Sequence, residues 1–179
     1  MNIDIEKNKE MIITLLEGVD RKGMSALIEW LKLTDFFTAP ASSKFHLACH
    51  GGLAQHSLSV FKTLQKLVAY FWNGKPITYE TQAIVGLLHD VCKVGIYIWS
   101  ESQQKYIHED SFPIGHGDKS VMVIQKFINL TDQEIAMIRW HMGPYDESYN
   151  RGEKYIIKYY PECKLVYFAD DISTQYLEK

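Results

Sequence analysis

Four histidines and two aspartates stand in an order that could let them share a metal centre. They are His56 in "GGLAQHSLSV", His89 and Asp90 in "LLHDVCK", His116 in "PIGHGDKS", His141 in "RWHMGP" and Asp170 in "FADDIS". Imidazole nitrogen and carboxylate oxygen suit first-row divalent metals, and ligands carried on facing helices can meet inside a bundle. A carboxylate beside an imidazole can bind one metal through its first oxygen and a second through the other, which makes Asp90 the candidate bridge. Two metals about 3.5–4 Å apart would clamp a phosphate and lower the pKa of a shared water. A lone histidine on a helix is more often a satisfied structural residue than a ligand, so the reading rests on the ordered set.

Helices must bring these six together, and the apolar spacing supplies them. Met11, Ile12, Leu15 and Leu16, then Met24, Leu27, Ile28 and Leu31, predict two amphipathic helices split near Gly18 to Asp20. "TAPASSK" interrupts the pattern, which places a loop at about residues 38 to 50. From Leu53, positions Leu58, Phe61, Leu64, Leu67, Val68 and Phe71 trace one helical face that "NGKP" ends. A further helix is predicted from Thr78 to Asp90, delivering His89 and Asp90 in its last turn. "YIW" and "YIH" flank the polar run "SESQQK", as in a short β-hairpin.

"GHGDKSVMVIQKFI" resumes helical spacing, and "TDQE" is a capping box opening a helix expected to reach His141. A tyrosine-rich segment without clear pattern comes next, then a last helix beyond Pro161. The expectation is an all-α bundle with one irregular or β-hairpin insertion near residues 95–113. A single domain is expected over 1–179, with residues 1–40 as an N-terminal helical extension packed on a metal-binding core at 41–175.

Composition narrows the partners. Nineteen lysines and arginines against 22 acids give a net charge of −3, which leaves no broad cationic surface for a nucleic-acid backbone. Three cysteines without CxxC spacing argue against a disulfide framework and a zinc ribbon, and fit a reducing, cytoplasmic setting. The N-terminus lacks a signal-peptide pattern, and no stretch approaches the roughly 20 apolar residues that span a bilayer, so a soluble chain without membrane partners is expected.

The order His…His-Asp…His…His…Asp resembles the HD superfamily of metal-dependent phosphohydrolases, in the branch whose extra histidines hold a second metal. Over about residues 40 to 175, "APASSKFHLACHGGLAQHSLSV" and "LLHDVCK" look like the HD domain of bacterial 3′-to-5′ exoribonucleases and of small phage or prophage HD hydrolases; "IGHGDKSV" and "IRWHMG" fit the latter. The resemblance implies His56, His89, Asp90 and Asp170 around a first metal, and Asp90, His116 and His141 around a second. Asp171 is the alternative to Asp170, and the family's alanine-aspartate pairing favours Asp170.

Lys93 falls on the lysine of HDxxK, where an ammonium can hold a substrate phosphate; Asp90 and Lys93 are therefore the candidate catalytic residues. The implied cofactor is a pair of divalent transition metals, with manganese, iron, nickel, cobalt and zinc all open. The implied substrate is a small phosphate ester, of a nucleotide or short oligonucleotide. Two alternatives use the same residues: a mononuclear nucleotidase in which His116 and His141 bind phosphate, and a non-catalytic binding module on the HD scaffold.

Other residues have two readings each. His46 and His50 could contact phosphate or merely order their loop, and of the two His46 is retained as a substrate-binding candidate. His108 reads as a surface residue rather than a substrate contact, Cys92 as a small buried apolar side chain rather than a redox group, and Asp118 and Lys119 as solvated charges at a helix start rather than groups supporting the metal ligands. Gly51 and Gly52 fit a tight turn better than a phosphate cradle. Tyr97, Trp99, Tyr106, Tyr145 and Tyr149 can pack the core or line a pocket that stacks a base.

Overall fold

The computed structural model of the chain describes residues 3–112 and 114–178, with the side chains at 150, 153 and 154 outside that description. Two helices open it. Ile5–Glu17 (α1) is capped by Asp4, whose carboxylate accepts from the backbone N–H of Lys7, and Met24–Leu33 (α2) follows. Ile12, Leu16, Leu27 and Leu31 face inward, the stripe that the three-to-four spacing predicts.

The longest helix is Gly52–Phe71 (α3), and α1, Tyr79–Leu88 (α4) and Cys163–Ile172 all pack on it. Its start demands glycine. Gly51 sits at φ +78°, and a Cβ on Gly52 would lie 2.1 Å from the carbonyl oxygen of Leu47. Along α3 the inward face carries Leu53, Leu58, Phe61 and Leu64 with His56 among them, all buried. Each such leucine is worth roughly 1.5–3 kcal/mol on burial, so apolar packing holds this stretch and His56 is carried in with it. Where α3 crosses α4, a Cβ on Gly86 would meet the Phe61 Cα at 2.7 Å, so the glycine lets the two backbones touch.

Tyr79–Leu88 (α4) stops short of Asp90: His89 is its C-cap, Asp90 leaves helical geometry, and a 3-10 turn over Val91–Lys93 comes after. The expected helix to Asp90 is therefore two residues too long. The insertion is a hairpin of Tyr97–Ser100 (β1) and Lys105–His108 (β2), antiparallel with Trp99 opposite Tyr106. Pro113, at the edge of the predicted insertion, lies outside the described residues, as do Met1, Asn2 and Lys179.

His116–Ile124 (α5) and Asp132–Arg139 (α6) come next. The capping box is present: Thr131 accepts from the Glu134 N–H while Glu134 accepts from the Thr131 N–H. Glu134 is fully buried and also receives a two-pronged guanidinium from Arg21, which ties α6 to the α1–α2 connection. The segment without clear pattern is a helix, Glu147–Tyr159 (α7), capped by Asp146. Its inward residues Tyr149 and Ile156 are seven apart, too sparse to register as an apolar stripe. Cys163–Ile172 (α8) closes the bundle and runs into a π-helical turn, Ser173–Leu177. The described residues thus form an all-α architecture with one small hairpin, and no helix among them is long and apolar enough to cross a membrane.

Candidate metal centre

Asp90 is the hub. Its Oδ2 lies 3.6 Å from His56 Nε2, 3.5 Å from His89 Nε2 and 2.7 Å from Lys93 Nζ, and its Oδ1 lies 3.5 Å from His141 Nε2. Asp170 Oδ1 stands 3.3 Å from His56 Nε2. Donor atoms of His56, His89 and Asp90, and of His89, His141 and Asp170, each fall within 4.8 Å of one another. His56, His89 and His141 are all at 0% exposure and Asp90 at 2%.

The outer nitrogens decide which face of each ring is free. His89 Nδ1 donates to the Gly86 carbonyl at 3.1 Å and His141 Nδ1 to the Ile138 carbonyl at 2.7 Å, in both cases three residues back. A carbonyl can only accept, so Nδ1 carries the proton, and in the neutral ring Nε2 keeps its lone pair. His56 Nδ1 instead meets both carboxylate oxygens of Glu178, at 3.1 and 3.0 Å. The inner atoms, Nε2 of His56, His89 and His141 and Oδ1 of Asp90, are buried with no hydrogen-bond partner among the described residues.

Leaving four such atoms unmet would cost about 1–3 kcal/mol each. Nitrogen and oxygen donors converging from two helices, α3 and α8, and from the turns after α4 and α6 fit a divalent transition metal, which would satisfy them together. His56, His89, Asp90 and Asp170 are the residues able to hold it, with His141 facing the other oxygen of Asp90.

Charge follows the same geometry. Burial would push the Asp90 carboxyl up, but Lys93, His89 and His141 hold it well below the usual carboxylate range. Burial opposes charge on His56 too, yet the carboxylates of Asp170 and Glu178 on its two sides push it up to about 10. His89 has no such pair, and burial takes it down to about 4. Lys93, buried against Asp90, is raised and stays an ammonium.

The remaining predicted residues fall in different places. His116 is half-buried at the start of α5 and outside these groups; its Nδ1 lies 3.6 Å from Cys92 Sγ. Burial lifts the Cys92 thiol to about 12, so it stays protonated. Asp170 reaches His56, whereas Asp171 only lines the adjoining cavity. His46 stacks 4.6 Å from the His56 ring with a buried, unpartnered Nε2, and burial takes it down to about 4. His50 is exposed, and His108 pairs with Tyr97 across the hairpin.

A cavity of about 410 Å³ opens over Asp90, Lys93 and Asp170, walled by Phe45, Met142, Tyr145 and Tyr167. Of the aromatic candidates read from the sequence, Tyr145 is on this wall; Trp99 and Tyr106 pair in the hairpin, and Tyr149 packs against Trp140. Sequence reasoning missed Phe45, Tyr167 and Glu178. Phe45 adjoins His46 in "SKFHL", a usable signal, and Tyr167 precedes Asp170 by one helical turn. Glu178 gave no signal, since nothing in spacing links it to a histidine 122 residues away.

The sequence has matches among known proteins. Residues 53–175 match the HD domain family, and the chain belongs to it. It is 29% identical over 128 residues to the dihydroneopterin 2′,3′-cyclic phosphate phosphodiesterase of Methanocaldococcus jannaschii, an alignment covering 70% of this chain and 51% of that protein. The chain therefore spans about half the length of this curated relative. No solved structure gives a significant match.

Proposed function

We propose that the chain is a metal-dependent phosphohydrolase acting on a small phosphate ester that carries a flat ring, a nucleotide or short oligonucleotide, at a dinuclear centre bridged by Asp90. The observation that carries this is the ring of buried, unpartnered donor atoms around Asp90 at the floor of the aromatic-walled cavity. When bound, divalent metals would neutralise phosphate oxygens and supply a water of lowered pKa.

The chain's own groups do the rest. Asp90 presents Oδ2 toward His56 and His89 and Oδ1 toward His141, the two-sided display a bridging carboxylate needs. Lys93 lines the cavity and directs its ammonium at the same carboxylate, placed to hold a phosphate oxygen. His46, which lines the cavity and whose buried Nε2 has no hydrogen-bond partner among the described residues, is the candidate to hydrogen-bond the phosphate or the leaving oxygen. Phe45, Tyr145 and Tyr167 offer ring faces to a base, and the similar archaeal protein is named for a substrate that joins a fused ring to a cyclic phosphate.

A panel of hydrolysis assays tests the reading: a generic monoester, a generic diester, 2′,3′-cyclic and open mononucleotides, and short RNA, each with manganese, iron, nickel, cobalt or zinc. Turnover of a nucleotide by the wild type and its loss in Asp90→Ala is expected. Metal uptake without hydrolysis of any member overturns it. The position of His116 beside Cys92, outside the grouped donors, favours a second reading, a one-metal centre at His56, His89, Asp90 and Asp170. Metal content near one per chain, unchanged by excess manganese, selects that reading.

A further inference from the structure

Three histidines point Nε2 at Asp90 or Asp170, and the way each outer nitrogen is held differs with its place in a helix. His89 and His141 sit just beyond α4 and α6, at helix ends where the carbonyls three residues back, of Gly86 and Ile138, lie in the last turn and are open to a side-chain donor; that of Ile138 also takes the His141 N–H at 3.4 Å. His56 lies within α3, where the carbonyls of the preceding turn are committed to the helix ladder. It has no local acceptor and needs one from elsewhere.

That acceptor comes from the segment after α8. Ser173 donates to the Ala169 carbonyl at 2.7 Å and lies 3.4 Å from Thr63 Oγ1 on α3, fixing the start of the π-helical turn against the helix that bears His56. Turns of this kind are rare and cluster at functional sites, because the extra residue per turn re-aims the side chains beyond it. Here Asp170 meets Nε2 of His56 from one side, and Glu178, after the wide turn, meets Nδ1 from the other. Glu178 is buried at 6% exposure beside exposed Leu177, an arrangement in which the chain sends its carboxylate inward and leaves its apolar neighbour in solvent.

We propose that Glu178 is a positioning residue of the metal centre: it takes the Nδ1 proton of His56 in a hydrogen bond, fixes the tautomer and ring angle, and so aims Nε2 at the ion. This rests on a metal being held at His56. Carboxylate partners of this kind typically change metal affinity 10–100-fold when removed.

The test uses the full chain with ¹⁵N-labelled histidine and zinc as the probe. Chelator competition gives the zinc affinity of wild type, Glu178→Ala, Glu178→Gln and Glu178→Asp, and long-range ¹⁵N–¹H spectra read which His56 nitrogen carries the proton in the zinc-loaded protein. The expected result is affinity about 10–100-fold weaker in Glu178→Ala, recovery toward wild type in Glu178→Gln, which keeps an acceptor oxygen, and an Nδ1–H signal in wild type that shifts in Glu178→Ala. Should Glu178→Ala not fold, Glu178→Asp withdraws the carboxylate by one methylene, and weaker zinc binding at unchanged melting temperature supports the proposal.

Zinc affinity within twofold of wild type in the folded variants overturns it, even with a lowered melting temperature, since that is what a merely structural carboxylate would give. A proton on Nε2 of zinc-loaded His56 also overturns it. Turnover is not read, so absence of hydrolysis leaves these results standing; a wild type that takes up no zinc overturns both this proposal and the reading of the centre.

Discussion

His56 and His116 both lie near the N-terminal ends of their helices, at the fifth residue of α3 and the first of α5, yet their surroundings prepare them differently for an ion. The first is fully buried on a 20-residue helix, with a carboxylate on its outer nitrogen and two more facing its inner one. The second is half-buried on a nine-residue helix that comes after a loop, and its outer nitrogen faces a thiol. A carboxylate only accepts, so it dictates the tautomer; a thiol can donate or accept, and leaves it open. Preparation by the fold thus ends on one side of Asp90 and is incomplete on the other.

Asp90 is common to both sides, so Asp90→Ala is the severest test. It is expected to lower kcat by on the order of 10³-fold and to empty the centre, as read by hydrolysis and by metal analysis of the purified protein. Next comes the direct contrast. His56→Ala should weaken the tightest metal by about 100-fold, while His116→Ala should leave that affinity within a few-fold and remove only a second, weaker equivalent in a titration. Equal losses in the two variants would erase the distinction between them.

A third change separates the centre from the scaffold. Glu134 ties α6 to Arg21 and is none of the donors grouped around Asp90, and Glu134→Gln should cost about 2 kcal/mol of unfolding free energy with metal uptake unaltered, measured by denaturant titration. Burial would raise this carboxyl, but Arg21 and the Thr131 N–H hold it below its ordinary value. A lowered folded value means the stabilisation is complete above the unfolded carboxylate range, near ~4.3, and fades as pH falls through the folded value. The difference between wild type and Glu134→Gln should therefore shrink in acid.

Smaller effects probe the cavity and the thiol. Tyr145→Ala should raise KM for a nucleotide about tenfold with kcat little changed, since base–ring stacking is worth roughly 1–3 kcal/mol. Cys92→Ala, which takes the ambiguous partner from His116, should move the second metal affinity by about threefold or less, given that contacts to sulfur are weak.

Legibility in the sequence depends on how local each signal is. The candidate ligands His89 and His141 lie beside helix ends, and a run such as "IVGLLHD" declares both the apolar helix and the polar pair it delivers. The capping box at Thr131 and Glu134 is equally legible because both partners lie within one turn. Helix α7 is not, as among its described side chains the buried face offers just Tyr149 and Ile156, seven residues apart. Glu178 is invisible because its partner is distant in sequence and the π-helical turn that swings it inward has no compositional mark. Likewise Phe45 and Tyr167 become cavity walls only once the 38–50 loop folds over α8.

The contact between Gly86 and Phe61 has a consequence for the spacing of the donor atoms. His89 hangs from the Gly86 carbonyl and His56 rides one and a half turns before Phe61, so the separation of the two imidazoles, 5.3 Å between ring centres, is gauged by how closely these backbones touch. An alanine at 86 would act as a shim, since its methyl group would meet the Phe61 Cα at 2.7 Å and prise the two backbones apart. A hydrogen atom in place of a methyl group thereby sets the spacing of two candidate ligands.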